Sequence, residues 1–220
     1  MFIFKKILQG VKSRIRSLLP KYRKNSATYW ENRYVGGENS GVGSYGIMAK
    51  YKAEVLNQFV ESNGIISVIE FGSGDGNQLK FYNFKNYLGF DISQTAILKC
   101  KDLFKLDNSK KFKLLGEWEG ERAEMVISME VIFHLIENRF YEDHMKKLFL
   151  ASDKFVVIFS SNKDTNLPDQ AKHVKHRKFT EWVKTNKPDF ELIKHEKNKY
   201  PEDQFDFGSF SDFYFFRKNI

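Results

Sequence analysis

The residues best equipped for chemistry lie in four short stretches. In the first, Val68-Ile69-Glu70-Phe71-Gly72-Ser73-Gly74-Asp75-Gly76, an apolar run carries an acid and is followed by three glycines at alternate positions. Glycine has no Cβ, so it takes positive φ and lets the backbone approach a ligand, and N–H groups at a helix start then favour anionic or carbonyl-rich groups. Gly72, Gly74 and Gly76 therefore predict a loop that cradles a small cofactor, with Glu70 beside it. The second stretch ends in Asp91-Ile92, about 20 residues further on, where a carboxylate can accept hydrogen bonds from both hydroxyls of a ribose. In the third, Ser128-Met129-Glu130-Val131-Ile132-Phe133-His134, helical spacing would put Glu130 and His134 on one face. An imidazole there can take a proton from a hydroxyl, whereas a metal shared by that pair would have only two ligands, too few to define a site. The fourth, His173-Val174-Lys175-His176-Arg177, offers two further candidate bases and a guanidinium for an anionic group.

These groups must be held by strands and helices in alternation. Near-continuous apolar character over Ile65 to Phe71 fits a parallel strand buried on both faces. Further strands are predicted at Tyr87 to Ile92, Phe112 to Leu115, Glu124 to Met129, Lys154 to Phe159, Leu192 to Lys194 and Phe213 to Phe216. Between the early ones come a stripe of Ala49, Ala53, Leu56 and Val60, a short helix from Leu79 to Phe84, and a helix capped by Ser93 that carries Cys100 on its apolar face. Cys100 reads as a buried structural thiol. The order predicts an α/β, Rossmann-like, doubly wound, mostly parallel seven-stranded sheet with its ligand at the carboxyl ends of the strands. Ser128 and Met129 would close the fourth strand beside that ligand. The segment Tyr29-Trp30-Glu31-Asn32-Arg33-Tyr34, next to a glycine-rich run, suggests a lid in which Tyr29 or Trp30 covers the cofactor and Arg33 pairs with a carboxylate.

A chain of 220 residues predicts one domain, and a single cysteine provides neither a disulfide framework nor a cysteine-rich zinc site, which points to the cytoplasm. Of the 36 Lys and Arg residues eight fall in residues 1 to 24, which hold no acid, so 28 remain against 28 acids and the formal charge of +8 belongs to the N-terminal arm. An electrically balanced body argues against a nucleic-acid substrate. In the arm Phe4, Ile7, Leu8, Val11, Ile15, Leu18 and Leu19 recur at helical spacing opposite Lys5, Lys12 and Arg16. That pattern suits a helix lying on an anionic membrane surface, or one packed on the domain or a partner, and it is too interrupted by charge to span a bilayer.

The spacing Glu70-x-Gly72-x-Gly74-x-Gly76 resembles that of class I S-adenosylmethionine (SAM) methyltransferases, whereas Asn77 stands where a nicotinamide-binding loop would have its third glycine. The resemblance covers about residues 28 to 220, leaving residues 1 to 24 as a separate arm. It implies SAM as cofactor and S-adenosylhomocysteine (SAH) as product, an acid near Glu117-Trp118 touching the adenine, an aromatic lid, a terminal antiparallel strand pair and an acid-and-histidine element at Glu130 and His134. Tyr-Trp-Glu-Asn-Arg-Tyr, Gly-Ser-Tyr-Gly and His-Val-Lys-His-Arg-Lys-Phe further resemble bacterial methyltransferases of surface-polysaccharide loci. The implied reaction is O-methylation of a small polar or anionic acceptor, such as a sugar or a phosphorus-containing substituent of a surface glycan, with His134 as base. The arm would hold the protein at the inner membrane surface. A non-catalytic SAM- or nucleotide-binding module and a nicotinamide-dependent reductase are the competing readings.

Overall fold

A computed structural model describes residues 25–219. The expectation for residues 1 to 24 lies outside the described residues. Seven strands, β1 (Ser67–Phe71), β2 (Asn86–Asp91), β3 (Lys110–Leu114), β4 (Ala123–Met129), β5 (Ser152–Ser160), β6 (Phe190–Glu196) and β7 (Asp212–Lys218), form one sheet in the order β3-β2-β1-β4-β5-β7-β6. The first five are parallel, and β7 runs antiparallel between β5 and β6. This is the predicted architecture, with terminal strands longer than the apolar cores from which they were read. The order reverses at β1 and β4, which places a crevice at their carboxyl ends.

Alternation along the strands builds two cores, one on each face. Val68, Met125, Ile127, Phe213 and Phe215 point to one side, where they meet Met48 and Leu56 of α2 (Gly46–Ser62) and Ile97 and Cys100 of α3 (Gln94–Leu103). Their neighbours Ile69, Val126, Tyr214 and Phe216 point to the other side, against Met145 and Leu148 of α4 (Asn138–Leu150) and Phe179 and Val183 of α5 (Phe179–Asn186).

Three local expectations are corrected. The glycine loop leads into a single 3₁₀ turn, Gln78–Phe81, and not into a helix through Phe84. Tyr82 and Phe84 are both buried and their rings stack at 4.5 Å, an alternate-residue arrangement that suits extended chain on its way into β2. The aromatic segment is itself helical. It lies within α1 (Ser26–Val35), where Asn25 accepts the Thr28 N–H at 2.8 Å and the Glu31 carboxylate accepts the hydroxyls of Ser93 and Thr95, each at 2.6 Å, docking α1 on the start of α3. Finally, Glu130 and His134 do not share a helix, because Glu130 has φ 60° and only Ile132–His134 form a 3₁₀ turn.

Candidate active site

The crevice at the carboxyl ends of β1, β2 and β4 is a cavity of about 650 Å³, within the range of ligand sites. Its floor is the glycine loop. Gly72 has φ 98° and a Cβ there would fall 2.3 Å from Val131 Cγ2; Gly74 has φ 58° and a Cβ would fall 2.5 Å from Ser40 Oγ. Only glycine meets both demands. Gly76 is required for a different reason: it faces Cys100 and Phe104, not the cavity, so it lets α3 close onto the loop.

Two buried acids flank this floor. Asp91 accepts the Gly74 N–H and the Ser93 N–H, each at 2.9 Å, which leaves an acceptor position on each oxygen. Burial outweighs those bonds and lifts its pKa to about 6. Glu70 accepts the Tyr87 hydroxyl at 2.5 Å, and burial lifts it to about 7 although Tyr87 and Lys52 oppose the shift. Gly89 makes room for this bond, since a Cβ there would sit 2.8 Å from the Tyr87 hydroxyl.

The Glu70 shift has a thermodynamic sign. The unfolded carboxyl ionises near 4.5, so between that pH and about 7 the native state holds a proton that the unfolded state has released. The contribution of Glu70 to stability is thus complete below 4.5 and lost as pH rises through 7. A Glu70→Gln variant is expected to gain stability over the wild type at pH 8 and to lose that advantage at pH 5, read from urea midpoints.

The glycine-rich segment 36–45 is fastened to the loop by Asp75. One of its oxygens accepts the Ser40 N–H at 3.0 Å and the Tyr45 hydroxyl at 2.8 Å, while the Asp75 N–H donates to Ser40 Oγ at 3.1 Å. Asn77 adds an amide bond to the Ser44 carbonyl at 2.8 Å. Asn77 thus serves the lid. Beyond it, Glu130 bonds two elements and packs closely against a third. Lys52 of α2, whose side chain is 1% exposed, donates to its Oε2 at 2.9 Å; Ser209 donates to Oε1 at 2.7 Å; and a Cβ on Gly43 of the lid would collide with the carboxylate at 2.0 Å. Burial alone would raise the Glu130 pKa, but the Lys52 charge and these bonds hold it below the usual range.

Much of the remaining lining is aromatic. Trp30, Phe133, Phe140 and Phe210 line the cavity together with His134 and His173, and Tyr34 lies against Gly74 of the floor. The His134 ring stacks on His173 at 5.2 Å and meets the edge of Trp30 at 4.9 Å. Its Nδ1 lies 3.0 Å from the His173 carbonyl, which can only accept, so the proton of neutral His134 sits on Nδ1 and Nε2 keeps a lone pair. Burial lowers its pKa to about 4, opposed by the bond to that carbonyl.

Of the residues expected from sequence, Trp30, Glu70, Gly72, Gly74, Asp91, Ile92, Met129, His134 and His173 border the cavity. The others do not, each for a visible reason. Tyr29 stacks on the outer side of the His173 ring at 4.8 Å. Arg33 bonds the Asn39 carbonyl and Glu38, so its fork is spent within its own lid. Glu117 turns back to the Leu114 N–H at 2.8 Å, and the Trp118 indole donates to the Glu121 carbonyl, leaving Leu115 and Gly116 to border the cavity in their place. Ser128 lies behind His144, whose Nε2 its hydroxyl meets at 2.9 Å, so that His144 borders the cavity in its place. His176 is buried against Ser161 Oγ at 2.7 Å. Arg177 holds the Leu135 and Ile136 carbonyls and lies over the Tyr141 ring, so the expected anion-binding cluster is instead a brace for the loop after His134.

Asp75, Lys52, Ser209 and Phe210 were not anticipated as parts of the site. Lys52 left a trace in sequence, a lone cation three residues after Ala49 and four before Leu56 on the apolar stripe. The contacts of Ser209 with Glu130 and of Phe210 with Phe133 and His176 are made between residues far apart in the chain and left none.

No family model matches the chain, and no curated protein matches it in sequence. Solved structures do match in fold. The N-methyltransferase NodS from Bradyrhizobium japonicum WM9, in complex with SAH, superposes with a TM-score of 0.67 at 12% identity over 88% of this chain and 98% of its own. Magnesium protoporphyrin IX methyltransferase (ChlM) from Synechocystis PCC 6803, with bound SAM, gives 0.64 at 12% identity over 91% and 100%. The methyltransferase domain of bacterial CtHen1 gives 0.61 at 18% identity over 78% and 98%. The chain has the fold of the class I SAM-dependent methyltransferases.

Proposed function

We propose that the protein is a SAM-dependent methyltransferase that methylates a hydroxyl of a small, uncharged, ring-shaped acceptor, with a sugar of a surface glycan as the preferred class. The observation that carries this reading is the lining of the cavity: a glycine-lined acidic floor together with an aromatic wall where the Nε2 of His134 keeps a lone pair.

The residues present fit the cofactor. The open acceptor positions of Asp91 suit ribose hydroxyls, the bare backbone of Gly72 and Gly74 admits close approach, and Leu115-Gly116 offer main chain beside a base. The acidic floor favours a cationic ligand over a neutral one, and such a charge would in turn draw the raised pKa values of Glu70 and Asp91 downward. When bound, SAM supplies an electrophilic methyl group on a sulfonium.

The protein's own part is alignment and proton handling. The aromatic rings present faces against which a sugar ring or other flat acceptor stacks, and they exclude water. As the acceptor oxygen attacks, His134 Nε2 takes its proton, while the His173 carbonyl keeps the ring in the required tautomer. With its pKa lowered by burial, His134 is unprotonated at neutral pH, and its Nε2 accepts the proton that the acceptor oxygen releases as it is methylated. An acidic acceptor fits less well, because Arg33 and Arg177 are engaged elsewhere and Lys147, a cation on the lining, is paired with Asp143.

The test is transfer of a labelled methyl group from SAM to a panel of neutral and phosphorylated saccharides. Label is expected in neutral members, with SAH released in equal amount. Label confined to the phosphorylated members would refute the acceptor class, and SAH formed without any oxygen-methylated product would refute the chemistry.

A further inference from the structure

We infer that the rim of the cavity is a docking face for an anionic membrane surface, and that the acceptor reaches the cavity as the head of a membrane-anchored molecule. The inference rests on the proposed methyltransferase reading only for the word acceptor; the docking face stands on separate observations.

The first is where the basic arm joins the body. Residues 1 to 24 carry eight cations and no acid, and the described chain resumes at Asn25 directly before Ser26 and Ala27, which border the cavity. That junction is held in place. Ser26 donates its N–H and its hydroxyl to the two oxygens of Glu137, at 3.1 and 2.6 Å, at the start of α4. The point from which the arm is tethered therefore lies at the mouth of the cavity.

The second observation is the character of the rim beside that junction. His173 and Val174 border the cavity, and Lys172 and Lys175 flank them in the chain. The preceding segment is tied to this one by Asn166, which accepts the His176 N–H at 2.7 Å and donates to its carbonyl at 3.1 Å. It presents Leu167, 62% exposed, with Lys163 also exposed. From Lys163 to Lys178 there are five cations against Asp164 and Asp169; Arg177 is spent on the Leu135 and Ile136 carbonyls, Lys178 pairs with Glu181 and Lys175 bonds Asn138, so Lys163 and Lys172 are the exposed cations this face presents. An exposed leucine among lysines, next to a uniformly basic arm, has the chemistry of a surface that meets acidic headgroups with its charges and the acyl boundary with its apolar tip. Among the described residues no helix is long and apolar enough to cross a membrane.

The test uses the full 220-residue chain and vesicles of phosphatidylcholine alone or with one quarter phosphatidylglycerol. Sedimentation is expected to show at least tenfold stronger binding to the acidic vesicles, weakened by salt. It should fall at least tenfold when Lys5, Lys12 and Arg16 are changed to Glu, and severalfold for Lys172→Glu with Lys175→Glu. Orientation is read from a polarity-sensitive fluorophore on Leu167→Cys, with Leu106→Cys as control. Leu106 is 93% exposed just before β3, at the amino ends of the parallel strands and so opposite the cavity, and Cys100, the native cysteine, is buried. A blue shift at position 167 and none at 106 supports the docking face. No preference for acidic vesicles, or a shift at 106 alone, overturns it. SAH calorimetry on the same preparations reports separately on the cofactor site, so a failure of docking and a failure of the methyltransferase reading are told apart.

Discussion

A Lys52→Met variant is expected to lose about 3 kcal/mol of stability, roughly 10 °C in melting temperature for a chain of this size. The reason is electrostatic. The Lys52 ammonium is almost wholly buried, 2.9 Å from Glu130 and 5.4 Å from the centre of the Phe159 ring. Removing it leaves a carboxylate bonded only by Ser209, at a residue whose backbone already sits at positive φ. Breaking one side of a buried pair costs about 3–5 kcal/mol, and the lower figure applies because Glu130 borders the cavity and can recruit water. Adding Glu130→Gln to Lys52→Met should restore much of the loss, since no unpaired charge then remains. Thermal unfolding of the three proteins checks this. A single variant as stable as the wild type would show that the pair does not hold α2, the lid and the Ser209 loop together.

The second large effect concerns turnover. His134→Ala is expected to lower kcat by about 10²–10⁴-fold, the usual worth of a positioned general base, with cofactor affinity changed by less than about threefold. Affinity should survive because His134 makes no hydrogen bond to Asp91 or to the glycine loop, its Nδ1 being held by the His173 carbonyl. The contrast between kcat and binding separates a base from a wall residue, since loss of packing against Trp30 and His173 alone would raise KM and leave kcat near its original value. Retention of full kcat would remove the base assignment and leave the fold and cofactor reading intact.

Much of this arrangement was legible in the sequence, and the reasons are local. Glycine at 72 and 74 reports a backbone demand that no other residue meets, and Asp91 ends a strand whose apolar run announces itself. Even the last strand showed itself in the continuous aromatic run Phe213 to Phe216. What failed to show were the choices that side chains make over distance. Arg33 and Arg177 have the chemistry of anion binders, yet each is consumed by carbonyls supplied by folding, Asn39 for one and Leu135 and Ile136 for the other. Ser128 sits in the right strand, but its hydroxyl is taken by His144, which borders the cavity in its place, while the next residue, Met129, reaches the cavity from the opposite face of the strand. The left-handed turn at Glu130 was hidden for a different reason: a non-glycine residue takes that conformation only when tertiary contacts such as Lys52 and Ser209 hold it there.

The measurement that tests the central claim most directly is isothermal calorimetry of the wild-type protein with SAM and SAH. Saturable binding of both at one site per chain is predicted, weakened at least a hundredfold by Asp91→Ala in a variant whose folding is verified by circular dichroism. Absence of binding by the folded wild type, with binding of a nicotinamide dinucleotide in its place, would contradict the account.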